Sequence, residues 1–441
     1  MTTAMRLRSI FLFTVASVAL AGCGVPVEPL MPTPALYTAA EVDPFAHLAP
    51  EDRTTIVDML YATNRDRVDD WQRIQYGNRP TGRIALGAAA MRIGGAEMTW
   101  EQLHAATMTA DRPEPIRMEL TGIYERGGFA IDSPLADPTL ESQQFINTIN
   151  RAVEKATDSD VFIYVHGAKV NFYNACAFTA QLSHFMGRDI VGIAFSWPTR
   201  QDFAAYAVGD DVGRSRSSAE ALASLIEFLG AQTDARRIHI VCWSAGARVV
   251  AGAVEALRQR YPDASAEALR ERFRLGTLVF TAADIPARQF AEVAEDAHAL
   301  AGRLLVTVSD ADATLVLASR AMGGGGRLGQ YNQALSEEDK KRLRTLDRLE
   351  VLDVSYGREE RGFNIGGHRY WFNNPWVSAD VLLAIRTELD PQQRGLLPEK
   401  DYNVVWYLPP DYPERLKAVS ASYSFRNWAS QQGMPHPDDE R

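Results

Sequence analysis

The sequence predicts an α/β protein whose central sheet is mostly parallel, with helices on both faces and a β-rich extension at the N-terminus. From about residue 143 onward, short apolar runs alternate with helical patterns, and such alternation favours parallel strand pairing. The run Val161–Val165 is apolar at every position, which is typical of a strand covered on both faces. The residues best suited to chemistry directly follow these runs, where ligands of open parallel sheets bind.

The predicted elements can be placed in chain order. Strands are expected at 161–165, 190–196, 238–241, 277–281, 303–309, 349–354 and 404–408. Helices are expected at 145–157, 175–186, 217–229, 247–259, 287–300 and 379–387. Between about residues 54 and 131 the pattern is irregular, and the alternation at 116–120 predicts short strands that form an added β layer or a sheet edge.

These patterns divide the chain into five predicted parts. They are a signal peptide at 1–22, a lipidated cysteine with a flexible tether at 23–50, the β-rich extension at 51–135, a catalytic domain at 136–390 and a C-terminal extension at 391–441. The tether is expected because its sequence is rich in proline and alanine and shows little periodicity.

The stretch at residues 242–246 carries the strongest chemical signal. It follows an apolar run and precedes a helical pattern, so that a serine stands in a sharp turn between strand and helix. This is the layout of a nucleophile elbow, in which the serine backbone is strained and the residues two positions away must be small. Gly246 and Cys242 meet that requirement. Ser244 is therefore the candidate nucleophile.

A second signal follows the apolar run Val161–Val165, which ends in His166, Gly167 and Ala168. In acyl-transfer enzymes built on such a sheet, the loop after this strand donates one backbone N–H to the oxyanion. The residue after the nucleophile donates the other. Ala168 and Ala245 are the candidate donors, and two such groups are worth about 3–4 kcal/mol each in comparable enzymes.

The base and the acid are expected later in the chain, in the order serine, acid, histidine. His368 is the candidate base, because the only histidine nearer the C-terminus is His436, which lies among prolines and acidic residues. Asp312 is the preferred acid, just beyond the strand at 303–309. Asp284 and Asp310 remain alternatives, and Asp310 could instead cap a helix that begins near residue 313.

These residues resemble the α/β-hydrolase superfamily and, within it, a bacterial group of uncharacterised serine hydrolases. The resemblance covers roughly residues 55–390 and depends on the order of several short motifs. The motifs are Tyr61-Ala62-Thr63-Asn64-Arg65, His166-Gly167 with Asn171-Phe172, Phe195-Ser196-Trp197-Pro198, Ser244, Ser309 with Asp312, and Gly367-His368 with Tyr370. The resemblance implies Ser244 as nucleophile, His368 as base and Asp312 as orienting acid. Trp243, Ala245 and Ala168 depart from the residues usual in the group, which affects the pocket wall rather than the triad.

The N-terminus resembles a bacterial lipoprotein signal. Two arginines precede an apolar run of about a dozen residues, too short to span a bilayer, which ends in small residues before Cys23. Cleavage before Cys23 and lipidation of its thiol would anchor the protein to the membrane. Gly24 after the cysteine suggests the outer membrane, on its periplasmic side. Cys176 and Cys242 are then expected to be small buried residues rather than a disulfide.

Composition narrows the functional classes. The 441-residue chain has a net charge of −10 and no basic block in its mature part, which argues against a nucleic-acid partner. No metal-ligand spacing or phosphate-binding glycine loop is present, so no cofactor is expected. The favoured hypothesis is a serine hydrolase acting on a small-molecule or lipid ester. The alternative is a weakly active or inactive lipid-anchored protein that uses a hydrolase scaffold for binding or envelope assembly.

Overall fold

One sheet organises the part of the protein that the structure, a computed structural model, describes: residues 28–39, 42–69, 74–200, 210–322, 326–330, 337–355, 367–400 and 402–419. Within these residues the sheet has eleven strands. They are β1 Ile56–Arg67, β2 Tyr76–Ile93, β3 Met118–Ala130, β4 Val161–Val165, β5 Val191–Phe195, β6 Ile238–Trp243, β7 Leu275–Thr281, β8 Ala301–Val308, β9 Leu349–Asp353, β10 Leu397–Glu399 and β11 Tyr402–Tyr407.

The helices fill the connections between strands. They are α1 Ala35–Ala39, α2 Trp100–Thr107, α3 Leu140–Lys155, α4 Phe172–Phe185, α5 Asp210–Gln232, α6 Gly246–Arg260, α7 Ala266–Phe273, α8 Ala287–Leu300, α9 Ala313–Met322, α10 Glu337–Leu343, α11 Tyr370–Asn373 and α12 Pro375–Arg386, with a 3₁₀ turn at Pro50–Asp52. No described helix is both long and apolar enough to cross a bilayer.

The strands are arranged in the order β10-β11-β9-β8-β7-β6-β4-β5-β1-β2-β3. From β11 to β1 every neighbouring pair is parallel, and only β10, β2 and β3 are added antiparallel. Alternate residues of each central strand enter two separate hydrophobic clusters, as Ile163 and Tyr164 do, because helices cover both faces. The predicted fold class is confirmed.

The N-terminal region forms strands at the edge of this sheet, as the sequence predicts. β1 pairs in parallel with β5, and β2 and β3 follow as an antiparallel meander. The strands are not short, however, since β1 has 12 residues and β2 has 18. Register shifts within the pairing interrupt the regular alternation of apolar residues, which explains the irregular sequence pattern.

Residues 28–39 and 42–50 differ from the flexible tether that the sequence predicts. Leu36 and Tyr37 are buried in the core. The Leu30 N–H donates to the Ile116 carbonyl at 2.7 Å, and the Met31 N–H donates to Gln181 Oε1 at 2.8 Å. The apolar residues among the prolines pack without forming a long regular element, so they leave no periodic signal. Cys23 and the predicted signal peptide lie outside the described residues.

The C-terminal residues also join the main sheet. β11 pairs in parallel with β9, and β10 pairs with β11. The predicted division near residue 390 is therefore not a boundary of the sheet. Cys176 and Cys242 are free and buried, as expected.

Candidate active site

Ser244 occupies a tight turn between β6 and α6. Its φ angle is 53°, in the left-handed region that non-glycine residues rarely adopt. A Cβ atom at Gly246 would lie 2.4 Å from the Val165 carbonyl oxygen and 2.7 Å from that of His166. Only glycine fits there without displacing the end of β4, so the turn has the geometry of a nucleophile elbow.

The neighbouring strand β7 holds this turn in place. The Ser244 N–H donates to the Thr281 carbonyl at 3.0 Å, and the Asp284 N–H donates to the Ser244 carbonyl at the same distance. Backbone hydrogen bonds on both sides of the serine can offset the cost of its strained conformation, which is about 1–3 kcal/mol for such residues.

The structure brings Ser244, His368 and Asp312 into one hydrogen-bonded chain. His368 Nε2 lies 2.5 Å from Ser244 Oγ, and His368 Nδ1 lies 2.9 Å from Asp312 Oδ2. Since a carboxylate accepts at Nδ1, that nitrogen carries the proton and Nε2 is left to accept from the serine hydroxyl. The arrangement can therefore remove the proton from the serine.

Asp312 is held rigidly as well as buried. Its second carboxylate oxygen, Oδ1, accepts the N–H groups of Thr314 and Leu315, each at 3.1 Å, and so caps α9. The sequence left open that Asp310 caps this helix. Asp310 is exposed, and its backbone N–H donates to Ser355 Oγ at 2.8 Å. The side chain of Asp312 therefore both accepts from His368 and caps α9.

Asp284 is fully buried but has different partners. Its Oδ1 lies 3.1 Å from the Arg327 guanidinium and 3.3 Å from that of Arg248. Its Oδ2 has no hydrogen-bond partner among the described residues. Burial raises the pKa of Asp284 to about 6, although Arg327 acts in the opposite direction. The structure therefore does not bring this alternative acid into contact with His368.

Contacts that the sequence does not reveal fix the histidine. The indole N–H of Trp243 donates to the His368 carbonyl at 2.9 Å. The Arg369 guanidinium lies over the rings of Phe178 and Trp243, 5.3 and 5.9 Å from their centroids, and pairs with Glu28. Glu28 and Arg369 are 341 positions apart, so no local pattern could have indicated this pair.

The loop after β4 passes directly beside the serine. A Cβ atom at Gly167 would lie 3.0 Å from Ser244 Cβ and 3.1 Å from the Trp243 ring, so glycine allows this approach. Within the described part of the chain, neither the N–H of Ala168 nor that of Ala245 donates a hydrogen bond. Both groups are thus without an acceptor within the described residues.

Among the described residues, no group of three or more histidine, cysteine, aspartate or glutamate side chains is arranged to hold a metal ion. The side chains of Asp312, His368 and Ser244 are hydrogen-bonded in series, in the order carboxylate, imidazole, hydroxyl.

Three solved structures match this chain at low similarity. An uncharacterized protein from Bacillus cereus has 17% identity and a TM-score of 0.25 over 44% of this chain and 65% of its own. Esterase B from Lactobacillus rhamnosis has 9% identity and a TM-score of 0.30 over 63% and 80%. An acylaminoacyl peptidase from Pyrococcus horikoshii has 11% identity and a TM-score of 0.32 over 73% and 55%. The chain thus spans less than two thirds of the Bacillus and Pyrococcus proteins. At these TM-scores the three structures add nothing to the family assignment.

No curated protein matches the sequence significantly. A family model, described as alpha/beta hydrolase of unknown function, matches residues 141–386, which is more than half of the chain. The match contains β4 to β9, the elbow and every residue of the hydrogen-bonded chain at Ser244. The protein therefore belongs to the family of alpha/beta hydrolases of unknown function (DUF900).

Proposed function

We propose that the protein is a serine hydrolase that cleaves carboxylic esters through a covalent acyl-enzyme. The observation that supports this most strongly is the continuous hydrogen-bonded chain from Asp312 through His368 to Ser244. Membership of an alpha/beta hydrolase family is consistent with the same chemistry. Asp312 is buried and accepts two backbone N–H groups, so its carboxylate is already oriented toward His368 before substrate binds.

In the proposed reaction, Ser244 Oγ attacks the ester carbonyl while His368 Nε2 takes the serine proton. Asp312 stabilises the imidazolium that forms. The N–H groups of Ala245 and Ala168 bind the oxygen of the tetrahedral intermediate. His368 returns the proton to the departing alcohol, and the acyl group remains on Ser244. A water molecule, deprotonated by His368, then releases the carboxylic acid and restores the serine.

An ester is the favoured substrate class because an alcohol leaving group needs less assistance than an amine. Small-molecule esters and lipid esters both fit this chemistry, and the Trp243 ring lies beside His368, with Phe178 packed against Trp243. A panel of p-nitrophenyl esters with acyl chains of graded length would measure the accepted chain length directly.

Reaction with a fluorophosphonate probe tests the proposal. We expect stoichiometric labelling of the wild type, no labelling of Ser244→Ala and strongly slowed labelling of His368→Ala. Ser378→Ala is a matched control, because it removes a buried serine hydroxyl on α12 whose one hydrogen bond within the described residues is to the Pro375 carbonyl. A folded wild type that neither reacts with the probe nor hydrolyses any ester would favour the alternative, a binding or envelope-assembly protein on a hydrolase scaffold.

We further propose that Cys23 carries the lipid that anchors this hydrolase to the bacterial envelope, in agreement with the signal-like sequence before it. Metabolic labelling with an alkyne palmitate analogue should mark the wild type and fail to mark Cys23→Ala. A wild type that is unlabelled and recovered entirely in the aqueous fraction would contradict the anchor.

A further inference from the structure

The proposed reaction assigns no role to the motif at residues 61–65. The pairing register of β1, β5 and β4 places the last residue of this motif, Arg65, beside residues 166–170, which we call the oxyanion loop. In β1, Ala62 is opposite Phe195 of β5, which is in turn opposite Val165 of β4. The residues that follow these three positions therefore lie together at the end of the sheet where Ser244 follows β6.

Arg65 reaches the oxyanion loop from this edge. The side chain is buried, and its Nη2 donates to the Val170 carbonyl at 2.8 Å and lies 3.4 Å from His166 Nε2. Nε donates to Ser196 Oγ at 2.9 Å, and Nη1 donates to the Gly77 carbonyl at 3.0 Å. One guanidinium thus connects both ends of the loop to β2 and to the end of β5.

The first residue of the loop is oriented by the same network. His166 Nδ1 lies 2.8 Å from the Gly167 carbonyl oxygen, so it carries the proton and leaves Nε2 to face Arg65 as an acceptor. Burial, together with the charge of Arg65, lowers the pKa of His166 and keeps the ring neutral. The indole of Trp197 donates to the His166 carbonyl at 2.7 Å.

The far end of the loop has a second support. The Val170 carbonyl accepts from Thr199 Oγ1 at 2.9 Å as well as from Arg65. Thr63, two residues before Arg65, donates through Oγ1 to the Ser196 carbonyl at 2.6 Å. Residues of three sequence motifs therefore meet in one hydrogen-bond network around the loop.

Arg65 forms no direct ion pair within the described residues, although the more distant carboxylates of Asp211 and Asp66 act to raise its pKa. Among the described residues, no carboxylate lies within ion-pair distance of its guanidinium, whereas the buried Arg394 pairs with both Asp380 and Glu350. Burial lowers the pKa of Arg65 to about 9, which still leaves it charged at neutral pH. Burying a charge costs several kcal/mol, so a neutral side chain at this position would be less costly if position 65 contributed only to stability.

We propose that Arg65 is a positioning residue for the reaction, one that holds the oxyanion loop so that the Ala168 N–H faces the oxygen developing at Ser244. This inference rests on the proposed function and extends it to a residue outside the triad. Arg65 touches neither substrate nor triad, and it acts through the loop. Displacing a single oxyanion donor costs about 10²–10³ in kcat in comparable enzymes.

The test compares Arg65→Met with the matched variant Arg303→Met. Arg303 is also a buried arginine, and it donates to three backbone carbonyls and pairs with Glu350 at 3.2 Å. It lies near the start of β8, at the end of the sheet away from Ser244. We expect both variants to lose stability. Only Arg65→Met should show a kcat, per fluorophosphonate-titrated site, that is about 10–100-fold lower than that of the wild type, with KM changed less than about threefold. The same variant should also react more slowly with the probe.

Arg65→Lys is the second variant, in case Arg65→Met does not fold. It keeps a charge but cannot donate to several acceptors in the fork geometry of a guanidinium, so we expect an intermediate kcat. If kcat per titrated site stays within about twofold of wild type in whichever of Arg65→Met and Arg65→Lys folds, the positioning role is wrong while the hydrolase proposal stands. If the wild type itself neither reacts with the probe nor turns over esters, the proposed function fails, and the role of Arg65 fails with it.

Discussion

The loops after β7 and β8 each place a buried aspartate near Ser244, but the two carboxyl groups have different partners. Asp312 accepts from His368 and from two backbone N–H groups. Asp284 faces two arginine side chains and has one oxygen without a hydrogen-bond partner in the described part of the chain. Burial and proximity are therefore not enough to identify an orienting acid. What distinguishes the two is which carboxylate accepts from Nδ1 of the histidine.

The sharpest test of this difference is Asp312→Asn. An amide in this position can donate to Nδ1 and thereby favour the wrong imidazole tautomer, so we expect kcat to fall by about 10⁴-fold. Oδ1 can still cap α9, which preserves the fold. The measurement is ester turnover at neutral pH, with Asp310→Asn as a control because that residue is exposed. Should Asp284→Asn abolish turnover while Asp312→Asn leaves it intact, the assignment of the two carboxylates must be reversed.

A second substitution, Asp284→Ala, should affect stability more than turnover. It leaves the guanidinium groups of Arg248 and Arg327 without their carboxylate, and breaking such a buried pair costs about 3 kcal/mol. We expect the midpoint of urea unfolding to fall while kcat of the folded protein stays within about fivefold of wild type. A variant of unchanged stability and abolished turnover would show that Asp284 acts in the reaction.

The smallest effect is a pH dependence specific to Asp284. Its pKa rises from 3.8 in the unfolded chain to about 6 in the folded protein, so the folded state binds this proton more tightly. The resulting stabilisation is present below about pH 4 and is lost as the pH rises through 6. The Asp284→Asn variant has no carboxyl group that could lose a proton at this position, so its stability does not fall in this way as the pH rises. Relative to wild type, the variant should gain about 2 kcal/mol between pH 4 and pH 7, measured by urea unfolding at both pH values. Parallel stability curves for the two proteins would contradict the raised pKa.

Much of the fold was predictable because it depends on local patterns. Continuous apolar runs marked the parallel strands, and α8 begins and ends at the predicted residues, Ala287 and Leu300. The candidate nucleophile and base could also be predicted from the sequence, because the elbow has a local signature and no other histidine lies near His368 in the sequence.

The remaining features depend on how distant segments turn and pack. Asp284 and Asp312 both follow a strand end, and the sequence alone could not show which carboxyl group faces the histidine. Arg65 contacts Val170 across 105 positions, and only the sheet order makes them neighbours. The packing of residues 28–39 and 42–50 leaves no periodic pattern, because most of these residues contact other elements without forming a long helix or strand of their own.

The ion pair between Glu28 and Arg369 has a geometric consequence for the proposed anchor. Only five peptide units separate Cys23 from Glu28, a span of at most about 17 Å even when fully extended. Glu28 in turn touches the residue that follows His368. If Cys23 carries the proposed lipid, this short span would keep His368 and Ser244 close to the membrane surface, where esters dissolved in the bilayer would be within reach.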